Sequence, residues 1–423
     1  MTPEKMETQA SGTRYSPELR VRNVMHLVNE ESLMSEHRRQ PSRKAAGIDG
    51  IGKAEYDLNA EENIAELVRK MRTFRYKPLP VRRTYIPKAN GKMRPLGIPS
   101  YEDKLVQGVM ADILNDIYEP RFLNCSHGFR PGRGAHDAVR VINHTVMSRP
   151  INYVLEADIR GFFDNLDHEW LMKFVEHDID DRRFLRYIKR FLIGGVMEDG
   201  KRMESDKGSP QGGLISPILA NVYLHYVLDL WFEKVVKPTL IGDAEYVRYA
   251  DDFVILFQAL PEAKRVMEAL KTRLSKFSLE LADEKTRIIP IGRHQGTKET
   301  FDFLGFTFGN GRTRKGKYCL RVTTSKTKLR AKCQIAKKWL IKRMHAPLDE
   351  TLKLLNLKFI GHCNYYGVNG NSRMLIKFRH YLAITTHWVI GRRSQKSRIQ
   401  WEKFLPIWRS YISNPRIKVV LWQ

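Results

Sequence analysis

Cysteine is scarce in this 423-residue chain. There are four, Cys125, Cys319, Cys333 and Cys363, and no CxxC pair. That usage suggests neither a paired-cysteine zinc module nor a disulfide framework. No apolar run approaches the ~20 residues that a membrane-spanning helix requires. The N-terminal stretch MTPEKMETQASGTRYS is polar and unlike a secretory leader. No repeat or low-complexity segment appears. The expectation is a cytoplasmic protein in a reducing compartment, with no membrane partner.

Acidic residues are nearly missing from one part of the chain. From Phe303 to Gln423, 26 Lys and Arg stand against three acids, Asp349, Glu350 and Glu402, a balance of +23. The formal net charge is +26, so the first 302 residues carry only +3. A nearly neutral body joined to a very basic C-terminal part points to a polyanionic partner, nucleic acid first and anionic membrane second. The basic part contains Trp339, Trp388, Trp401, Trp408, Tyr365 and Tyr366, enough apolar surface to fold. A hydrophobic fraction of 42% fits a soluble globular chain of two or three domains.

Periodicity predicts helices over Ser16–Arg38, Ala60–Arg72, Ser100–Tyr118 and Glu262–Phe277, with Ile64, Leu67, Val68 and Met71 on the buried side of the second. Val81–Pro99 reads as a hairpin turning at Ala89-Asn90-Gly91 and bringing Lys88 near Arg94. Such a cationic hairpin suits a triphosphate, or is simply a solvated edge. HGFRPGRGAHDAV (His127–Val139) offers Arg130 and Arg133 for phosphate contacts. Lys207–Tyr223, KGSPQGGLISPILANVY, is an irregular loop holding Gln211, followed by a helix from Ser216. Phe301–Phe308, FDFLGFTF, is a strand pair bent at Gly305. Composition changes at about Gly309–Gly316, and helices are expected over Thr327–Met344, Asp349–Phe359, Arg373–Ile390 and Gln400–Tyr411.

The stretch carrying the chemistry is EYVRYADDFVILFQ (Glu245–Gln258), two strands joined at Ala250-Asp251-Asp252. Adjacent carboxylates repel, and a fold keeps them ionised most easily with a cation beside them. A merely solvated hairpin tip fits the tetrapeptide Tyr249-Ala250-Asp251-Asp252 as well. The strand in NYVLEADIRGFFD adds Asp158 among apolar neighbours, a position that is costly without a metal or cation; a salt-bridged structural Asp is the other reading.

In order along the chain stand AAGIDG, IPKANGKMRPLGIP, HGFRPGRGAHDAV, ADIRGFFDNLDH, SPQGGLISPILANVYL, YADD, LADEKTRII, FLGF and KFIGHCNYYG. Each is weak alone. The ordered set resembles the reverse transcriptase/maturase encoded within mobile group II introns, the last segment resembling the maturase thumb called domain X.

That resemblance implies an α/β (α+β) right-hand polymerase: an N-terminal helical extension over 1–80, fingers and a ferredoxin-like palm over 81–309, and a helical basic thumb over 310–423. It implies two Mg²⁺, with Mn²⁺ as a substitute, on Asp158, Asp251 and Asp252 and the Ile159 carbonyl, in keeping with hard cations choosing oxygen. It assigns Lys88, Arg94, Phe163, Gln211 and Lys285 to the incoming nucleotide, Arg130, Arg133, Phe303, Leu304 and Gly305 to primer and template, and Lys326, Lys328, Arg330, Lys337 and Lys338 to RNA. The partners implied are the intron RNA, an RNA template with DNA primer, dNTPs and a DNA target site, for a monomer or dimer. The endonuclease cysteines of some relatives are missing, so no endonuclease is expected. The alternative is a splicing maturase that binds RNA with little polymerase role.

Overall fold

Helix Ala60–Arg72 forms over the span its spacing predicts and buries Ile64, Leu67, Val68 and Met71. The computed structural model describes residues 20–87, 93–198, 201–203, 207–208, 212–394 and 399–421. The chain divides into two compact units, each assembled from three segments. One comprises 1–133, 159–238 and 269–281; the other comprises 134–158, 239–268 and 282–423.

In the first unit, strands β2 (Val81–Pro87) and β3 (Met93–Ile98) pair antiparallel, with Ile86 opposite Arg94. The turn between them, with Lys88, lies outside the described residues. β2 also pairs in parallel with β6 (Val196–Glu198), which pairs antiparallel with β7 (Lys201–Met203). Helix Tyr101–Tyr118 starts where Ser100 accepts the Asp103 N–H. The loop leading to helix Ser216–Leu224 comes back onto β3: a Cβ on Gly212 (φ +120) would meet the Gly97 carbonyl at 2.4 Å, so glycine is needed there. Gln211 lies outside the described residues.

One expectation fails in this unit. Ser16–Arg38 is not a single helix. Residues 16–19 lie outside the described residues. Val21–Arg22 form β1, pairing with β5 (Ile179–Asp180), and the helix starts only at Glu30. Asn23 sits at φ 56, and Asn29 caps the helix by accepting the Ser32 N–H while Ser32 accepts the Asn29 N–H. A left-handed residue followed by a full capping box fixes the start there, whatever the apolar spacing upstream.

The second unit carries a four-stranded sheet in the order β10-β4-β9-β8: β4 is Tyr153–Ala157, β8 Ala244–Tyr249, β9 Asp252–Phe257 and β10 Arg287–Pro290. All its pairings are antiparallel. A second sheet is made by β11 (Thr300–Phe303), β12 (Phe306–Arg312) and β13 (Tyr318–Thr324). One core joins them: Val154, Val247, Val254, Leu256 and Ile289 from the first sheet, Ile142 and Val146 from helix Ala135–Ser148, and Phe301, Phe306, Phe308, Leu320 and Val322 from the second. The end of β12 and the turn into β13 occupy Gly309–Gly316, where the composition changes, so that shift lies within a hairpin of the sheet.

The basic part folds into helices Lys326–Lys342, Leu348–Tyr366, Ser372–Ile390 and Trp401–Tyr411. Leu340, Leu352, Leu355, Phe359, Phe378, Leu382, Phe404 and Trp408 bury between them. Asn371, fully buried, ties this bundle to β13. Its Oδ1 accepts the Thr324 N–H at 2.9 Å, and its Nδ2 donates to Thr324 Oγ1 and the Tyr366 carbonyl, both at 2.8 Å. Asn371→Ala strands these buried groups and is expected to cost about 2 kcal/mol of stability in a denaturant titration. An unchanged unfolding midpoint would show that the tether does not matter.

Candidate active site

β4 and β9 pair so that Ala157 stands opposite Phe253 and Glu156 opposite Val254. Carried one residue further, that register sets Asp158 opposite Asp252. On its other side β4 pairs with β10, Glu156 against Arg287. The same extension brings Lys285 to Asp158, and Lys285 Nζ lies 2.5 Å from Asp158 Oδ2. Because side chains alternate faces, Val154, Glu156 and Asp158 share one face of β4, and Asp252, Val254 and Leu256 share one face of β9. The apolar members enter the core; the acidic ones stand at its open end.

The hairpin β8–β9 closes Tyr249 against Asp252 through two residues, Ala250 and Asp251. Ala250 adopts φ 57, and Arg248, wholly buried, donates Nη1–H to its carbonyl at 3.0 Å. A left-handed alanine is strained, roughly 1–2 kcal/mol. The turn is therefore held from behind. β8 is the sheet edge and β9 an inner strand, so the carboxylates stand at the strand ends, not along the exposed edge.

Asp158, Asp252, Lys285 and Phe303 line one cleft of about 400 Å³. Its charged lining is Glu156, Asp158, Asp252, Glu284 and Asp302 against Lys285 and Arg287. Glu156 accepts from Arg287 Nε at 2.9 Å and from the Asp302 N–H at 3.3 Å. Asp302 in turn accepts from Ser325 Oγ at 2.9 Å and Thr307 Oγ1 at 2.5 Å. Asp252 is solvent-accessible at the start of β9, yet desolvation by the surrounding protein, then the negative charge of Asp251 and of Asp158, pushes its carboxyl up to about 6, against the opposing pull of Lys285 and Lys328. Its bond to Asp158 raises the Lys285 ammonium, against partial burial.

This is an oxygen donor set with more negative charge than its neighbours balance, and it fits a hard divalent cation. Among the described residues, no three His, Cys, Asp or Glu form a group placed to hold a metal; the cation on Asp158 in this conformation is Lys285.

The bend that follows β11 is tightly held. Leu304 (φ 50) and Gly305 (φ 78) are both left-handed. Tyr365 donates its hydroxyl to the Leu304 carbonyl at 2.9 Å, and its ring stacks on Phe306 with centroids 5.7 Å apart. A Cβ on Gly305 would approach the Tyr366 hydroxyl to 2.8 Å. Lys326, Lys328, Arg330, Lys337 and Lys338 are exposed on helix Lys326–Lys342. Lys326, Arg330 and Lys337 share a stripe, with Lys337 lying 5.0 Å over the Trp388 ring.

The remaining expected residues belong to the other unit. Arg94 is exposed on β3. Phe163 is half-buried in the short helix Phe162–Asn165, edge-on to the buried Phe162. Ile159 is buried opposite Leu281; the bonds flanking it use the Asp158 carbonyl and the Arg160 N–H.

Arg130 is a correction. Its guanidinium is buried and donates to the Glu119 carboxylate and to the carbonyls of Leu123 and Ser126 at 2.7–2.9 Å. It braces a loop and is not free for phosphate. Arg133 is exposed and bonded to Asn124. The sequence reading did not single out Glu156, Arg287, Asp302 or Tyr365. Period-two counting back from Asp158 finds Glu156; the others need the fold.

The family model described as reverse transcriptase (RNA-dependent DNA polymerase) matches residues 86–308. The chain is 30% identical, over 426 aligned positions, to the group II intron-encoded protein LtrA of Lactococcus lactis subsp. cremoris, covering 81% of this chain and 69% of that one. It is also 30% identical to protein YkfC of Escherichia coli (strain K12), covering 77% of this chain and 93% of that one. Among solved structures, a telomerase from Candida albicans in complex with a fragment of telomeric RNA is 13% identical with a TM-score of 0.45, covering 83% and 67%; that likeness is too loose to carry an argument.

The raised Asp252 carboxyl has a thermodynamic signature. In the unfolded chain it ionises near 4, and in the fold near 6. Between those values the folded state holds an extra proton, so stability falls as pH rises through the window. Without divalent ions, Asp252→Asn is expected to remove that part of the slope and to be the more stable form at pH 7. Unfolding free energies in EDTA at both ends of the window would test this; parallel curves for the two proteins would contradict it.

Proposed function

The chain belongs to the reverse transcriptases of the group II intron-encoded kind, and we propose that its acidic cleft is the polymerase centre. Membership makes it an RNA-directed DNA polymerase with a role in intron splicing. What carries the assignment of the cleft is the β4–β9 register, which converges on Asp158 and Asp252 from residues far apart in the chain.

In this reading Asp158, Asp251 and Asp252, with the Ile159 carbonyl, hold two divalent ions. Bound Mg²⁺, or Mn²⁺ in its place, supplies Lewis acidity, acidifying the primer 3′-hydroxyl and neutralising charge at the α-phosphate of the dNTP. Asp252 must be ionised to serve, so its raised carboxyl ties metal binding to pH. With ions on Asp158, Lys285 would be released from its ion pair to meet the negative charge of the departing pyrophosphate. Arg94, with Lys88, holds the triphosphate; the planar guanidinium gives paired donors and the ammonium a point charge. Gln211 and Phe163 contact the nucleotide, Phe163 beneath the sugar where a 2′-hydroxyl would clash.

The bend Phe303-Leu304-Gly305 supports the primer end. Its two left-handed residues and the Tyr365 bond fix the backbone, so the primer is presented in one geometry. Arg133 and the exposed cations from Lys326 to Lys338 follow the phosphate backbone of template and intron RNA. Splicing rests on that RNA grip, and retrohoming into a DNA target adds the copying step.

The discriminating substitution is Asp251→Ala. Primer extension on an RNA template with Mg²⁺ is expected to fall to background, while affinity for intron RNA stays within about twofold, since a carboxylate at the β8–β9 turn does not contact the phosphates that dominate affinity. Full extension by this variant would sink the metal-site assignment. Loss of RNA binding alongside would merge the two functions into one surface.

A further inference from the structure

The strand that composition concealed, β13, builds a second charged feature in the same unit, opposite in sign to the cleft. After β10 the chain loops through residues 292–297 and is pinned by Asn310. Asn310 accepts the Gly292 N–H at 3.1 Å and donates to the Gln295 carbonyl at 3.0 Å. Tyr318 donates its hydroxyl to the same Asn310 Oδ1 at 3.0 Å. Between this loop and the β12–β13 hairpin lies a basin of about 990 Å³.

Arg293, His294, Arg312, Lys317, Tyr318 and Arg321 line it, and no carboxylate does. The four cations are exposed. Arg293 and Arg312 bond to the Met147 and Gly316 carbonyls, at 3.2 and 3.1 Å. Among the described residues none of the four forms an ion pair with an acid. The hairpin tip is a defined turn, with the Thr313 N–H bonded to the Lys317 carbonyl at 2.8 Å, and it adds Arg314 and Lys315. Cations gathered on one basin whose lining holds no carboxylate give it a positive potential that attracts an anion.

We propose that this basin is a docking site for the phosphodiester backbone of structured RNA, separate from the polymerase cleft. Arg312 and Tyr318 stand at the far end of β12–β13 from Phe306 and Thr324. Six residues of strand put them about 20 Å from the primer-end bend. The basin is larger than one phosphate needs and has cations on both walls, which suits a backbone running through it. Its tip, Thr313-Arg314-Lys315-Gly316-Lys317, has no apolar side chain to enter a bilayer, which disfavours a lipid surface. The choice of RNA among polyanions rests on the reverse transcriptase reading.

The test uses the full chain and the exposed-site variant Arg293→Ala/Arg312→Ala/Arg321→Ala. Binding of a transcribed group II intron RNA is measured between about 50 and 200 mM salt, beside primer extension on a short RNA–DNA primer–template. Losing three phosphate contacts is expected to make the slope of log affinity against log salt shallower by about 2 to 3. The KM and kcat of extension are expected to stay unchanged. The triple lysine variant keeps the charges and is expected to keep the slope, which separates lost contacts from a damaged fold. An unchanged slope in the alanine variant overturns the site. So does a matching rise in KM for the primer–template, which would place the basin on the polymerase path, or an equal loss of binding to phosphatidylserine vesicles, which would make it a general polyanion patch. If the unaltered protein extends no primer, the polymerase reading fails while the salt slopes still report on the basin.

Discussion

The antiparallel register of β4 between β9 and β10 is the constraint on which the site depends. It sets Asp158 opposite Asp252 on one side and Lys285 on the other. A slip of one residue would turn every side chain of β4 to the opposite face and carry Asp158 out of line with Asp252. The slip is prevented far from the chemistry, by Val154, Val247, Val254 and Leu256 packing into one core with Phe301, Phe306 and Phe308. Hydrophobic burial thus holds together carboxylates that would otherwise move apart, and desolvation first, then the charges of Asp251 and Asp158, raises the Asp252 carboxyl. Preorganised repulsion of this kind makes a place where a multivalent cation binds strongly.

Charge is segregated to match. The chain carries +26 overall, yet the cleft collects five acids against two bases. The exposed cations of helix Lys326–Lys342 and of the β12–β13 basin lie in the same unit. A polyanionic strand is attracted by the basic surfaces but would be repelled by a bare acidic cleft; in the proposed reading, divalent ions held there would reverse the sign of the cleft and let the reacting phosphates in. Lys285 on Asp158 partly compensates the site in their place.

Much of this was legible in the sequence because it rests on local rules. The helix Ala60–Arg72, both hairpins, the Gly305 bend and the C-terminal helices follow from periodicity and turn chemistry. The convergence of Asp158 and Asp252 does not, since register between distant strands is set by tertiary packing; it came from family resemblance and is visible physically only in the sheet. Arg130 misled because a Gly-rich loop with arginines looks the same whether its guanidinium faces a phosphate or Glu119. β13 was missed because YCLRVTT follows a basic turn, and the change in composition masked its alternation. Apolar spacing continues upstream of the capping box at Asn29, so periodicity alone extends the helix back to Ser16 although it starts at Glu30.

The most direct measurement is anomalous diffraction from crystals of the full chain grown with Mn²⁺ and a primer–template. The account predicts manganese peaks bridged by Asp158 and the Asp251–Asp252 pair, with Lys285 withdrawn from Asp158. Manganese bound elsewhere, with the Lys285–Asp158 pair intact and no peak between the two strands, would contradict it.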